Sequence, residues 1–380
     1  AMAALDSSVL IERLRGESVG QRALVLRMAA RYPSTIERQI LLEQAASAIQ
    51  GEKDPAFSAA LEVLAVISDE DSLRRLVNRF PSLPIGVRRK AAVVLSEMTL
   101  RHADVARSCI DAGPFDGEGW LAVTVMLAAL ARGGQPTSQR DMELLTRCLL
   151  ADNASVRCAA LDALSAFGDA AAADAIAFSL ADEELEVRMA AVRALGRLRG
   201  EGESASVIGR LIDLAQRTDD HQLLVVAVQA IGETSDPRVL SVLRPLVRSS
   251  EPSVAVAAVE AIGLVNDARR VEALMDALSH QDVEVVKAAM GSLARETDVR
   301  VEVHLGACLD HDAWDVRRLA ADLLGQRGGD VALGMLRAKH GSEREPLVKE
   351  ALERALAAGD GNLPTRRSSA APRQGSWRPR

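Results

Sequence analysis

Aromatic residues are nearly absent from this chain. Phe, Trp and Tyr make up 2% of its 380 residues, against 48% hydrophobic residues in all. A core with so few rings is built from Ala, Leu, Val and Ile. That suits closely spaced helices better than a sandwich of strands, where β-branched and aromatic residues lead. Three Trp, one Tyr and five Phe are also too few to line a stacking platform for nucleic acid.

Cysteine is scarce too. Cys109, Cys148, Cys158 and Cys308 stand far apart with no C-x-x-C pair. Neither a disulfide frame nor a zinc site is indicated, and small buried thiols in a reducing compartment are. The longest apolar run, LAVTVMLAALA at 121–131, is too short to span a bilayer as a helix. No secretory signal is legible at the start of the sequence, so the expected location is the cytoplasm. Catalytic motifs are missing as well. The glycine-rich RGEGESASVIG (199–209) has neither phosphate-loop nor dinucleotide-loop register, and no G-x-S-x-G or Cys-His arrangement occurs. The expectation is a protein with no catalytic residues, no metal and no cofactor.

Charge is unevenly spread. The net charge is −7, yet residues 361–380 hold five Arg and no acid. The body is therefore acidic and poorly suited to general nucleic-acid binding. Of the 46 basic residues 41 are Arg, a bias of GC-rich, typically bacterial, genomes.

What is present is a repeat. Val156, Val187, Leu223, Val254, Val285, Val316 and Leu347 occupy one equivalent position at spacings of 31, 36, 31, 31, 31 and 31. Taking that position as zero, small residues follow at +3 and +4 (Ala190 and Ala191, Ala257 and Ala258). A large aliphatic stands at +8 (Leu195, Ile231, Ile262, Leu324). A Gly often stands at +9 (Gly196, Gly232, Gly263, Gly325). Positions 0, +4 and +8 share one helix face. An aliphatic about seven residues earlier (Leu149, Leu180, Val247, Leu278, Leu309) closes a preceding helix, and a short Asp-bearing turn lies between. Each unit is helix–turn–helix and cannot bury its apolar surface alone; stacking does so. Looser copies begin at Ala56, Val87 and Trp120, the weakest at Gly20. The expected fold is all-α, an α-solenoid of about eleven helical hairpins. It divides into divergent repeats (5–139), regular repeats (140–357) and a basic, disordered tail (358–380), with RGGQPTSQ (132–139) as a hinge.

The stretches DEELEVRMAAVRALGRL, EPSVAVAAVEAIGLVND and HDAWDVRRLAADLLGQRG resemble HEAT repeats of the short type first noted in phycobilisome lyases. The resemblance covers most of 140–357 well and 15–139 moderately. It implies an α-solenoid. Family members include bilin lyase subunits, a DNA glycosylase, a di-iron hydroxylase and many scaffolds, so fold does not choose a function. The hydroxylase relatives use His-Glu pairs, and none of the six His here is followed by Glu. The recurring pairs Asp152/Arg157, Asp182/Arg188 and Asp312/Arg317 read as a structural ladder, with Asp capping the second helix and Arg bonding to the neighbouring turn.

With enzymes disfavoured, the outward row of the second helices becomes the candidate site. Its +2 residues include Cys158, Met189, Val225, Val256, Lys287, Arg318 and Lys349. Its +6 residues include Asp162, Arg193, Gln229, Glu260, Asp322 and Glu353. Met189, Val225 and Val256 are apolar where a solvated face would be charged. The basic +2 residues are expected to pair along their own helix, as Arg318–Asp322 and Lys349–Glu353. The residues expected to meet a protein partner on the concave face are Met189, Arg193, Val225, Gln229, Val256, Glu260, Lys287 and Arg318. In the tail, Arg366, Arg367, Arg373, Trp377 and Arg378 are candidates for gripping an acidic partner or nucleic acid. The leading reading is a protein–protein interaction scaffold. The alternatives are a bilin-lyase-like or chaperone-like accessory subunit and a nucleic-acid binder working through its tail.

Overall fold

The computed structural model describes residues 7–359, apart from 16–17, 33–35, 37, 51–55, 114, 116, 169, 199–203 and 235. The described residues hold 22 α-helices and no strand, and the chain falls into two compact units, 1–230 and 231–380. The first unit begins with the hairpins α1 (Ser7–Arg15) and α2 (Val19–Arg31), α3 (Arg38–Gln50) and α4 (Phe57–Val66), and α5 (Glu70–Arg79) and α6 (Ile85–Arg101). It continues with α7 (Ala103–Asp111) and α8 (Gly119–Arg132), α9 (Gln139–Cys148) and α10 (Ala154–Phe167), and α11 (Ala170–Phe178) and α12 (Leu185–Arg197). Next come α13 (Ser204–Arg217) and α14 (His221–Glu233), whose last residues belong to the second unit. That unit holds α15 (Leu240–Leu246) and α16 (Pro252–Leu264), and α17 (Arg269–Ala277) and α18 (Val283–Leu293). It ends with α19 (Val299–Ala307) and α20 (Trp314–Arg327), and α21 (Gly329–His340) and α22 (Pro346–Gly359).

The repeat periodicity becomes the core directly. Val156, Val187, Val254, Val285 and Val316 are fully buried, as are Leu164, Leu195, Ile262, Leu293 and Leu324 eight residues on. Each such side chain contributes about 1.5–3 kcal/mol when removed from water. Glycine at +9, set against a small residue at +7 of the next unit, lets consecutive second helices come close. The Cβ that Gly196 lacks would stand 2.9 Å from the Cβ of Ala230, and that of Gly325 would stand 2.5 Å from the Cβ of Ala355. The 36-residue interval after Val187 is taken up by α13, which runs 14 residues where α11, α17 and α19 run nine.

Two register assignments are corrected. Leu347 is 45% exposed while Val348 is fully buried, so the last interval is 32 residues. Trp120 is only half-buried, and Gly119 takes the core position, with Val123 and Leu127 buried four and eight residues on. The caps also move. Asn153, not Asp152, accepts from the N–H of Ser155 at the start of α10. At α14 the cap is Asp220, which accepts from the N–H groups of Gln222 and Leu223. Asp282 caps α18 as the turn pattern implies.

Candidate partner-binding surface

In the first unit, Cys158, Met189 and Val225 are half-buried at the +2 positions of α10, α12 and α14, and Asp162, Arg193 and Gln229 are exposed at +6. Burial and the carboxylates of Glu186 and Asp162 push the Cys158 thiol up from its ordinary value. Arg197 of α12 reaches back to Asp162, Nη1 to Oδ1 at 2.9 Å. Arg193 makes no hydrogen bond or ion pair among the described residues. This row therefore offers aliphatic and thioether surface beside an uncommitted guanidinium.

The second unit's row is more charged. Val256 is half-buried and Glu260 exposed. Lys287 is held between Glu284 and Asp315, with Nζ 3.0 Å from Asp315 Oδ2. The expected pairs along single helices do not form. Asp322 takes Arg354 of α22 at 2.8 Å instead of Arg318, and Glu353 faces His340 at 3.3 Å instead of Lys349. Arg318 is exposed and has no partner among the described residues. The Asp322 and Glu353 carboxylates are both taken by residues of another helix, Arg354 of α22 and His340 of α21.

The Asp/Arg repeat is a ladder, with a different wiring from the one its spacing suggests. Arg157 donates through Nη1 to the backbone carbonyls of Ala151 and Asp152, closing its own turn. Its remaining nitrogens form a two-pronged pair with the Asp182 carboxylate of the next hairpin, both at 2.9 Å. Arg317 does the same with the carbonyls of His311 and Asp312 and with Glu343. Arg188 holds the carbonyls of Asp182 and Glu183 and stands 3.9 Å from Asp220. Arg88 pairs with Glu118. So Arg and carboxylate belong to successive hairpins, and the partner within each sequence pair is the backbone oxygen. Desolvation opposes ionisation of Asp182, and the Arg157 hydrogen bonds outweigh it, so its carboxyl stays below the ordinary range.

A second periodic element, not recognised in the sequence, sits at the starts of the first helices. Asp236, Asp267 and Asp298 recur every 31 residues. Each accepts from the backbone N–H and the guanidinium of the Arg two residues on, Arg238, Arg269 and Arg300. The D-x-R spacing was available as a signal. The histidines are local fasteners: His280 and His311 each accept through Nδ1 from a backbone N–H two residues on. Among the described residues no three His, Cys, Asp or Glu come together as a metal site.

The loops are tied. Pro136 and Asp141 both receive Arg107, and Ser138 with Asp141 forms a capping box at α9. With Gln135 N–H also bound to the Leu130 carbonyl, residues 132–139 carry more fixings than a free hinge would. In the 111–119 loop, Phe115 packs on Trp120 at 5.7 Å, and Arg147 stands over the same indole. The tail residues Arg366, Arg367, Arg373, Trp377 and Arg378 lie outside the described residues. No helix among the described residues is long and apolar enough to cross a membrane.

Comparison with known proteins adds the following. Residues 142–223 and 208–294 match the model for HEAT repeats. No protein of curated function matches the sequence significantly. Among solved structures, yeast importin-β (Kap95p) is similar with a TM-score of 0.58 at 13% identity, covering 95% of this chain and 55% of that one. The Kap95:Nup1 complex gives the same score and identity, with 95% and 57% covered. Kap95p with RanGDP gives 0.55 at 13%, with 95% and 55% covered. The chain thus spans a little over half the length of these yeast structures, and at such identity the likeness is one of fold. The phycobilisome-lyase type of repeat finds no counterpart in these matches. With helical hairpins stacked through Arg–carboxylate rungs and small-residue contacts, the chain has an α-solenoid fold, and its residues 142–294 match HEAT repeats.

Proposed function

We propose that the chain is a non-catalytic scaffold that binds a protein partner along the outward row of its second helices. The observation that carries this reading is the half-buried aliphatic row of Met189 and Val225, set beside an unpaired Arg193. A solvated face with no partner would carry charge there. The most conspicuous charged motif, the Arg ladder, is consumed in holding hairpins together and is not the surface proposed here. In the second unit Val256, Glu260 and Arg318 extend the candidate set, and Lys287 is already committed to carboxylates. Solenoids present such rows to extended or helical segments, and the similar yeast structures include complexes with Nup1 and RanGDP. The four free cysteines suit a reducing cytoplasm. The direct test is purification of the tagged chain from its native host, identification of the co-purifying protein, and repetition with Met189→Asp and Val225→Asp. Loss of that protein with the double variant supports the row; its retention argues against it.

A further inference from the structure

The ladder has missing rungs, and a broad groove lies between the turns of one of them. The rung residue stands one position after the zero of each second helix. It is Arg88, Arg157, Arg188 and Arg317 where the rung exists, but Leu224, Ala255 and Val286 in α14, α16 and α18. Ala255 is the smallest of the three and fully buried. Its methyl cannot cross between the turn before α16 and the turn before α18. Between those two turns, and on between α15 and α17, opens a groove of about 1110 Å³.

The groove keeps the acceptors that a rung would use. In the complete rungs of Arg157, Arg188 and Arg317, the guanidinium binds the carbonyls five and six residues before it. Counted from Ala255, these are the carbonyls of Ser250 and Ser249, both groove-lining residues. The far side of a rung is a carboxylate in the turn before the next second helix. Asp182, five residues before its zero, accepts from Glu184 N–H and from Arg157, and Asp220, three residues before its zero, caps α14 and stands 3.9 Å from Arg188. Asp282, at the far wall, caps α18 through Oδ1 alone; its Oδ2 has no partner among the described residues. Asp282 thus holds the Asp220 position, while His280 holds the Asp182 position with its Nδ1 accepting from Asp282 N–H; Arg244 in the same groove is taken by Asp276, so the Asp282 carboxylate and the two carbonyls are the acceptors left for a guanidinium.

We propose that this groove receives an arginine side chain of a partner protein, whose guanidinium completes the rung between Ser249, Ser250 and Asp282. Its volume is several times that of one side chain, so a short segment enters rather than a lone cation. Arg248, exposed at the rim and unpaired among the described residues, repels a polybasic stretch and attracts a carboxylate. The groove therefore suits a single arginine with an acidic neighbour, and not the adjacent Arg366 and Arg367 of this chain's own tail. Planar, two-pronged recognition of this kind favours arginine over lysine.

The full-length chain is titrated with a blocked tetrapeptide bearing one arginine and one glutamate, and with its lysine and citrulline counterparts, while backbone amide shifts are followed. The arginine peptide should move the amides of Ser249, Ser250 and Asp282 and bind about tenfold tighter than lysine, with citrulline inert. Ala255→Arg, which builds the rung in cis, should abolish these shifts. Asp282→Asn, which keeps a capping side chain, should weaken binding severalfold and covers the case in which Ala255→Arg fails to fold. Equal binding of citrulline, shifts at other amides only, or undiminished binding by both variants overturns the proposal. Binding that appears only after removal of residues 360–380 would make the tail the occupant and overturn the partner assignment.

Discussion

The Cβ that Gly232 lacks would stand 2.7 Å from the Cβ of Ala261 and 2.8 Å from its Cα. The second helices α14 and α16 meet there with no room for a methyl group. Gly232→Ala should therefore destabilise by about 1–3 kcal/mol through overpacking. Gly263→Ala should cost less, because its nearest neighbour is the Ser292 hydroxyl, 2.8 Å away, which can rotate. Gly291 meets nothing within 4 Å, and its replacement by Ala should stabilise by about 0.5–1 kcal/mol. Urea midpoints rank the three; equal effects would mean the close contacts are absent.

Arg157 and Asp182 form an enclosed rung, their side chains 7% and 13% exposed. Removing one partner leaves a buried charge unpaired, at a cost of about 3 kcal/mol or more. Arg157→Met alone should lower stability by that order, and Arg157→Met with Asp182→Asn by less than the sum of the single changes. Strict additivity in this double-mutant cycle would deny the pairing.

Glu343 gives the pH dependence its sign. Hydrogen bonding to Arg317 holds its carboxyl at about 2, below the ordinary 4.5. The fold thus binds fewer protons than the unfolded chain between those values. This contribution is fully present above pH 4.5 and is lost as pH falls through 2. Stability measured by urea titration should fall over that window, and more gently in Glu343→Gln. Parallel slopes for the two proteins would remove Glu343 from the account.

The cysteines should separate by burial. Burial pushes Cys148 up to about 12 and Cys308 to about 11, so neither carries appreciable thiolate near neutrality. Alkylation of the folded protein at pH 8 should start at the half-buried Cys109 and Cys158 and reach Cys148 and Cys308 only on unfolding. Early labelling of Cys148 would contradict the packing of α9.

The hairpins were legible because a stacked helix writes its core at fixed intervals, and Val187, Val254 and Val285 are buried where the spacing puts them. Trp120 misled because a large apolar residue resembles a core position, while the buried position is taken by Gly119. Leu347 misled because one residue is added before Val348, and a strict 31-residue count cannot see it. The wiring of the ladder was hidden for another reason. Arg157 and Asp182 are 25 residues apart, and their meeting depends on how successive hairpins stack, whereas Asp152 lies nearby in sequence and offers only its carbonyl. The missing rung at Ala255 was invisible because an alanine in an Ala-rich helix carries no signal until its neighbours in the ladder are known.

The row of Met189 and Val225 is the central claim, and affinity for the identified partner tests it most directly. That affinity is measured for the wild type and for Met189→Asp with Val225→Asp, alongside thermal unfolding of both. The account predicts binding weaker by about tenfold or more, since charge enters a desolvated contact, with a melting temperature little changed. Unchanged binding by a folded variant, or a collapse of stability that shows these residues to be core, would contradict it.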